Sequence, residues 1–149
     1  MIDHNVLCVH CPDSNINICS GFAPVRQMKQ RGVWVALGSD IAGGAQLPML
    51  SVLTGCLRMS KARAIATEGK EPFLTVGEAY YLATSAGARY FGDKDGFAPG
   101  NPLHAVVLDD ASLPPSAREL TVKERFERAV YLSDERNIQA VYGAGKKIK

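Results

Sequence analysis

The side chains best suited to chemistry are three histidines, four cysteines and one aspartate in a glycine-rich setting. The histidines are His4, His10 and His104. A catalytic zinc takes about three protein donors on one ion, yet the sequence has neither His-x-His nor His-Glu-x-x-His. His4 and His10 stand six residues apart. Across a strand that is ~20 Å at ~3.3 Å per residue, too far to share an ion. Cys8-x-x-Cys11 suggests a redox pair or zinc ligands, but no second such pair exists. A closed site would need Cys19 or a histidine at irregular spacing. The pair also adjoins the apolar run Val6-Leu7-Cys8-Val9, so buried, inert packing thiols are the simpler reading, and Cys56 adds no motif. Gly-x-Ser-x-Gly and the phosphate-loop pattern are both missing, so neither a serine nucleophile nor a nucleotide cradle is indicated.

Asp40 stands out by position. It lies in Gly38-Ser39-Asp40, followed by Ala42-Gly43-Gly44, directly after an apolar run. In parallel sheets the carboxyl ends of strands carry the chemistry. Asp40 is therefore either a working carboxylate or the cap of the next turn. His10 ends another apolar run; the two side chains could face one cleft, or be a hydrogen-bonded histidine and a capping aspartate. The glycines fit tight backbone turns beside a pocket.

Hydrophobic pattern predicts the strands and helices that carry these residues. Residues 5–10 and 33–38 are apolar on both faces, as strands of a covered parallel sheet are. Pro12-Asp13-Ser14-Asn15 reads as the turn that stops the first strand. Phe22, Val25 and Met28 space a helix over 22–31, with Gly32 as its stop. The start of the chain is thus a βαβ unit. Residues 47–66 predict a long helix with Leu47, Leu50, Leu53, Leu57 and Ile65 near one face, and Arg58, Lys61 and Arg63 as a solvated cluster away from aromatic residues. Thr75-Val-Gly-Glu78 and Thr121-Val-Lys-Glu124 are capping boxes, predicting helices to about Phe91 and Tyr131. Residues 93–104 are turn-rich, with Asp95-Gly96 among the turns. Ala105–Leu108 reads as a strand, and residues 138–148 as a terminal hairpin around Gly143-Ala144-Gly145.

The 149 residues are 46% hydrophobic and 21% charged, a globular composition that argues against disorder. The net charge of +2 is spread evenly, without the basic stripe that nucleic-acid binding requires. No apolar run approaches the ~18 residues of a membrane helix. The first residues carry no basic region followed by an apolar stretch. The expectation is therefore a chain without a secretion signal and with reduced thiols, in the cytoplasm.

Several segments resemble one family. His10-Cys-Pro-Asp-Ser-Asn15, Ser20-Gly21, Val33 to Leu37, Gly38-Ser-Asp-Ile-Ala-Gly-Gly44 and Met49-Leu50 are similar to the C-terminal half of the amidohydrolase superfamily. Tyr131-Leu-Ser-Asp-Glu-Arg-Asn-Ile138, Val141-Tyr142 and Gly145-Lys146 narrow the resemblance to its guanine deaminases. It runs over nearly the whole chain and is weakest at residues 110–125.

The resemblance implies an α/β fold, namely the C-terminal fragment of a (β/α)8 metal-dependent hydrolase barrel plus part of a small β-sandwich. Residues 1–92 would hold the last two barrel strands and their helices. Residues 93–149 would be the sandwich segment, with a helical insertion near 121–131. It implies zinc-dependent conversion of guanine and water to xanthine and ammonia, a step of purine catabolism. Asp40 would be the metal-ligating, proton-moving aspartate of strand eight, and His10 a pocket or second-shell residue. His104 replaces a residue the family often has as aspartate and takes no role. A full barrel needs ~250 residues, so the other ligands would come from a companion chain carrying the N-terminal barrel half. The chain alone would then be inactive and, with the apolar faces of Val6–Val9 and Val33–Leu37 uncovered, self-associating; the family is commonly homodimeric. Two alternatives stay open: a non-catalytic interaction module derived from an amidohydrolase, and a piece of another deaminase or chlorohydrolase of the superfamily.

Overall fold

A computed structural model describes residues 2–93 and 96–149. Asp95 of the expected Asp95-Gly96 turn lies outside the described residues. The expected βαβ order is present. Strand β1 (Cys8–His10) pairs in parallel with β2 (Val35–Leu37), with Cys8 opposite Val35 and His10 opposite Leu37. Both strands are shorter than the apolar runs that encode them. Asn5 turns the backbone at φ +49°, and His4 belongs to a 3-10 turn over Ile2–His4. The extended path assumed between His4 and His10 therefore covers only its second half.

Two local readings are corrected. Pro12–Asn17 is a helix, α1, and not a turn. Pro12 sits in its first turn, where the ring's fixed φ is already helical and the missing N–H costs nothing. Helix α2 spans Val25–Gln30 rather than starting at Phe22. Pro24 precedes it and disfavours helical backbone at Ala23. Gly32 ends the segment at φ +79° as expected.

Helix α3 (Met49–Ala66) is the core's main contributor. Its Val52, Leu53, Cys56 and Leu57 are each 1% exposed and pack with Leu74, Ala79, Leu82 and Val130. Two members of its predicted apolar face are outside: Leu47 lies before the helix begins, and Ile65, in the last turn, is 80% exposed. The basic cluster on α3 also differs from expectation. Lys61 lies over the rings of Phe73 and Tyr131, at 5.8 and 5.3 Å. Arg63 Nε donates to the buried Glu71 carboxylate at 2.6 Å, so of the three only Arg58 and Lys61 are exposed. Folding brings aromatics from distant segments that local sequence does not show.

Thr75 caps α4 (Val76–Ala83) through the expected box with Glu78. The helix predicted to run on to Phe91 breaks at Thr84. It resumes as α5 (Ser85–Ala88) and a 3-10 turn over Arg89–Phe91, ended by Gly92 in the left-handed region. The break seats Ala86, fully buried, beside β2, where the Ala86 carbonyl accepts from Trp34 Nε1 at 2.8 Å. All three residues of β2 are buried under α2, α4 and α5. The expectation that Val33–Leu37 would lack covering is thus overturned for the strand itself. For Val6–Val9 it holds in part: Val6 and Val9 are 45% and 51% exposed, while Leu7 and Cys8 pack against the core.

Strand β3 (Ala105–Leu108), helix α6 (Val122–Leu132) and the hairpin of β4 (Ile138–Gly143) and β5 (Lys146–Lys147) match the predicted order. The three strands form one antiparallel sheet, β3-β4-β5. Positive φ at Ala144 and Gly145 makes the tight turn. The Asp134–Asn137 stretch of the tail motif has a clear structural use. Buried Asn137 donates to the Asp109 carbonyl and Ser112 Oγ, both at 2.9 Å, and accepts from the Asp134 N–H at 3.0 Å. It thereby ties the start of β4 to the loop leaving β3.

Candidate functional site

The carboxyl ends of β1 and β2 lie side by side, because the strands are parallel and in register through His10 and Leu37. The Gly38 N–H donates to the His10 carbonyl at 3.0 Å, carrying the pairing one residue further. Asp40 comes two residues later, exposed, with φ +47°. That left-handed backbone is one aspartate tolerates better than most residues.

Helix α1 holds the loop that leaves β2. Ser14, 3% exposed, donates its hydroxyl to Asp40 Oδ2 at 2.6 Å. Asn17 Nδ2 donates to the Gly43 carbonyl at 2.8 Å, and the Ala45 N–H donates to the Asp13 carboxylate at 2.5 Å. The loop closes on itself where the Gly44 N–H donates to the Asp40 carbonyl at 2.7 Å. The glycines are sterically required. A Cβ on Gly43 would meet Asp40 Oδ2 at 2.7 Å and Ser14 Oγ at 2.9 Å; one on Gly44 would meet the Ser39 carbonyl oxygen at 2.5 Å. The expected tight turn beside the site is present.

His10 is 5% exposed. Burial pushes its pKa down to about 4, against a smaller upward pull from a hydrogen bond with the Asn15 side chain. It is a neutral imidazole at pH 7, able to donate or accept but not to carry charge. Asp40 is thus held by Ser14 of α1, and the side chain of the next residue, Asn15, acts on His10. Sequence reasoning misses Ser14 because its segment reads as a turn. The signal that could find it is proline followed by aspartate, a helix-opening pair.

Two of the thiols are poorly suited to act as nucleophiles. Cys11 is raised, chiefly by burial and then by the charges of Asp40 and Cys8, and burial pushes Cys56 up to about 12. The pair Cys8 and Cys11 is half-buried rather than fully packed away, Cys19 is exposed, and all four are free. His104 lies remote in sequence from this loop, with Nε2 4.0 Å from Asp93 Oδ2.

The donor set can be tested against a metal. A carboxylate at a strand tip, with Oδ2 engaged by Ser14, offers Oδ1 as a hard oxygen donor of the kind zinc accepts. It is one donor. Among the described residues no three His, Cys, Asp or Glu side chains converge, so a complete shell requires donors from elsewhere.

A sequence model of the amidohydrolase family matches residues 1–148. The chain belongs to the amidohydrolase family. A guanine deaminase of Dictyostelium discoideum is 32% identical over 146 residues, covering 94% of this chain and 32% of that protein. The crystal structure of a guanine deaminase from C. acetobutylicum, with guanine bound in its active site, superposes with a TM-score of 0.90 at 38% identity, over 99% of this chain and 35% of that one. A zinc-bound adenosine deaminase from Xanthomonas campestris gives 0.76 at 27% identity, over 95% of this chain and 31% of that one. This amidohydrolase chain therefore spans about a third of the length of the relatives it matches. Its mixed α/β fold is guanine deaminase-like, and the resemblance read from the sequence is upheld.

Proposed function

We propose that the chain is the C-terminal portion of a zinc-dependent guanine deaminase, converting guanine and water to xanthine and ammonia in cytoplasmic purine catabolism. Residues 1–92 contribute the last two barrel strands and their helices, and residues 93–149 part of the β-sandwich. The observation that carries this reading is the oriented carboxylate of Asp40 at the carboxyl end of a parallel strand pair, in a chain so close to a guanine-bound deaminase. Zinc, when bound, lowers the pKa of a coordinated water toward ~7. Asp40 donates one oxygen to the metal and accepts the proton of the attacking water. Neutral His10 helps shape the pocket wall from beneath, through Asn15.

One carboxylate does not retain zinc, so the chain by itself is inactive and works with a companion polypeptide supplying the remaining barrel. The unpaired edge of β1, beside exposed Val9, is where such a partner would pair. Self-association through the same edge is the competing outcome when the partner is missing.

The test is reconstitution. Purified chain, alone and with a polypeptide carrying the first six barrel strands of a guanine deaminase, is assayed for bound zinc and for ammonia released from guanine, adenine, adenosine and triazines. Turnover of guanine by the pair alone is expected. Turnover by the chain unaided would refute the division of the site, and preference for another substrate would move the reading to another deaminase, as the similarity to an adenosine deaminase would favour. A pair that assembles and binds zinc but hydrolyses none of the substrates would support a non-catalytic module.

A further inference from the structure

We infer that Ser14 is a positioning residue for Asp40: its hydroxyl fixes the carboxylate in one orientation and engages Oδ2, so that Oδ1 is the oxygen presented for reaction. The inference rests on Asp40 being the reacting carboxylate. It starts from a contrast in exposure. Asp40 is exposed and Ser14 is 3% exposed. An exposed aspartate on a loop ordinarily rotates about two side-chain torsions, and a reaction needs it in one of the resulting positions. Here a buried hydroxyl donates to it at 2.6 Å, a short contact typical of a bond to a charged acceptor. The serine is itself fixed, because it lies within α1 and is buried.

Space around the pair points the same way. Gly43 leaves open a volume that a methyl group would share with both Asp40 Oδ2 and Ser14 Oγ. Asn17 holds Gly43 in place by its carbonyl, and Asp13 holds Ala45. Three side chains from one short helix thus clamp residues 40–45, and only Ser14 touches the carboxylate. A cap would need Asp40 to accept from backbone amides of a succeeding helix; its side-chain acceptor bond instead goes to a hydroxyl 26 residues earlier. The arrangement also assigns the two oxygens. With Oδ2 engaged by the hydroxyl, Oδ1 is the oxygen left to take both the ion and the proton, each on its own lone pair.

The test has one readout on the full chain and one on the assembled enzyme. Chain labelled with 13C at the aspartate carboxyls is recorded at neutral pH, and the Asp40 resonance is assigned by its loss in Asp40→Asn. In Ser14→Ala that resonance moves by more than its linewidth while the other aspartates stay in place. In Ser14→Thr, which keeps the hydroxyl, it stays near its original position. In Gly43→Ala it moves although Ser14 is intact. An Asp40 resonance unchanged in Ser14→Ala overturns the inference. In the reconstituted deaminase, Ser14→Ala lowers kcat roughly ten- to a hundredfold, the range expected for one hydrogen bond to a charged group, with KM and zinc content unchanged. A change confined to KM, or loss of zinc, overturns it as well. Failure of the proposed function is distinct: the unsubstituted pair then releases no ammonia from guanine, while the carboxylate resonance still decides whether Ser14 holds Asp40.

Discussion

Strands β1 and β2 are of equal length, pair residue for residue and come from equally apolar runs, yet β2 is fully buried and β1 only in part. Val35, Ala36 and Leu37 are 2%, 3% and 9% exposed, whereas Val9 is 51% exposed. The difference lies in what each strand is given to pack against. Helices α2, α4 and α5 close over β2. Only the end of β1 is buried, at His10, where α1 begins. An apolar residue left half in water marks either a tolerated surface residue or the place of a missing neighbour. A two-stranded parallel pair, unpaired along the outer edge of each strand, favours the second.

The largest effect expected concerns the tip the two strands share. Asp40→Ala in the reconstituted enzyme should lower ammonia release by about a thousandfold or more, since ligation and proton transfer go together. Stability in the thermal melt should fall only by what the lost hydrogen bond from the buried Ser14 hydroxyl costs, about 1–3 kcal/mol. A drop in activity matched by a large fall in melting temperature would show that Asp40 is a structural cap.

The buried end of β1 gives a pH dependence. His10 has a folded pKa of about 4, below the unfolded value of ~6.5. The unfolded chain therefore binds the extra proton between those values. The histidine's contribution is intact above pH ~6.5 and is lost as pH falls toward 4, with a total on the order of 3 kcal/mol. Urea melts at pH 7 and pH 4.5 should show this slope, and it should be much reduced in His10→Gln. An unchanged slope in that variant would mean the imidazole stays protonated inside the fold.

Truncation tests the contrast directly. Leu37→Ala on β2 should cost roughly 2–3 kcal/mol, for lost burial and the cavity left behind, and Val9→Ala on β1 less than ~1 kcal/mol. Light scattering adds a further check: Val9→Thr should reduce self-association of the chain, and Leu37→Ala should not. Equal costs at the two positions would mean that β1 is covered in solution by another copy.

The smallest effect lies in the helix furthest from this tip by sequence. Thr121→Ala removes the hydroxyl that accepts from the Glu124 N–H and should cost about 1 kcal/mol. Activity of the assembled enzyme should be unaffected.

Local signals are legible in proportion to how local their causes are. Both capping boxes, the Gly32 stop and the terminal hairpin form as the residues predict, because each is made by side chains within a few positions of one another. Asp40 is picked out by a rule about strand ends, which needs only the order of elements. The hold of Ser14 on Asp40 is not legible, because it crosses 26 residues and passes through a helix that reads as a turn. The covering of β2 is likewise hidden, since residues of α4 and α5 that close it lie some 40 or more positions further along the chain.

Periodicity and motif spacing by themselves determined the strand–helix–strand opening and the acidic residue at its tip. These are set by short-range sterics and by which faces are apolar. Only the tertiary structure decided that β2 is sealed and β1 left open, that His10 is a neutral buried base, and that a serine fixes the carboxylate. Burial, pKa and side-chain orientation depend on neighbours that folding brings from elsewhere in the chain, and no local pattern encodes those distances.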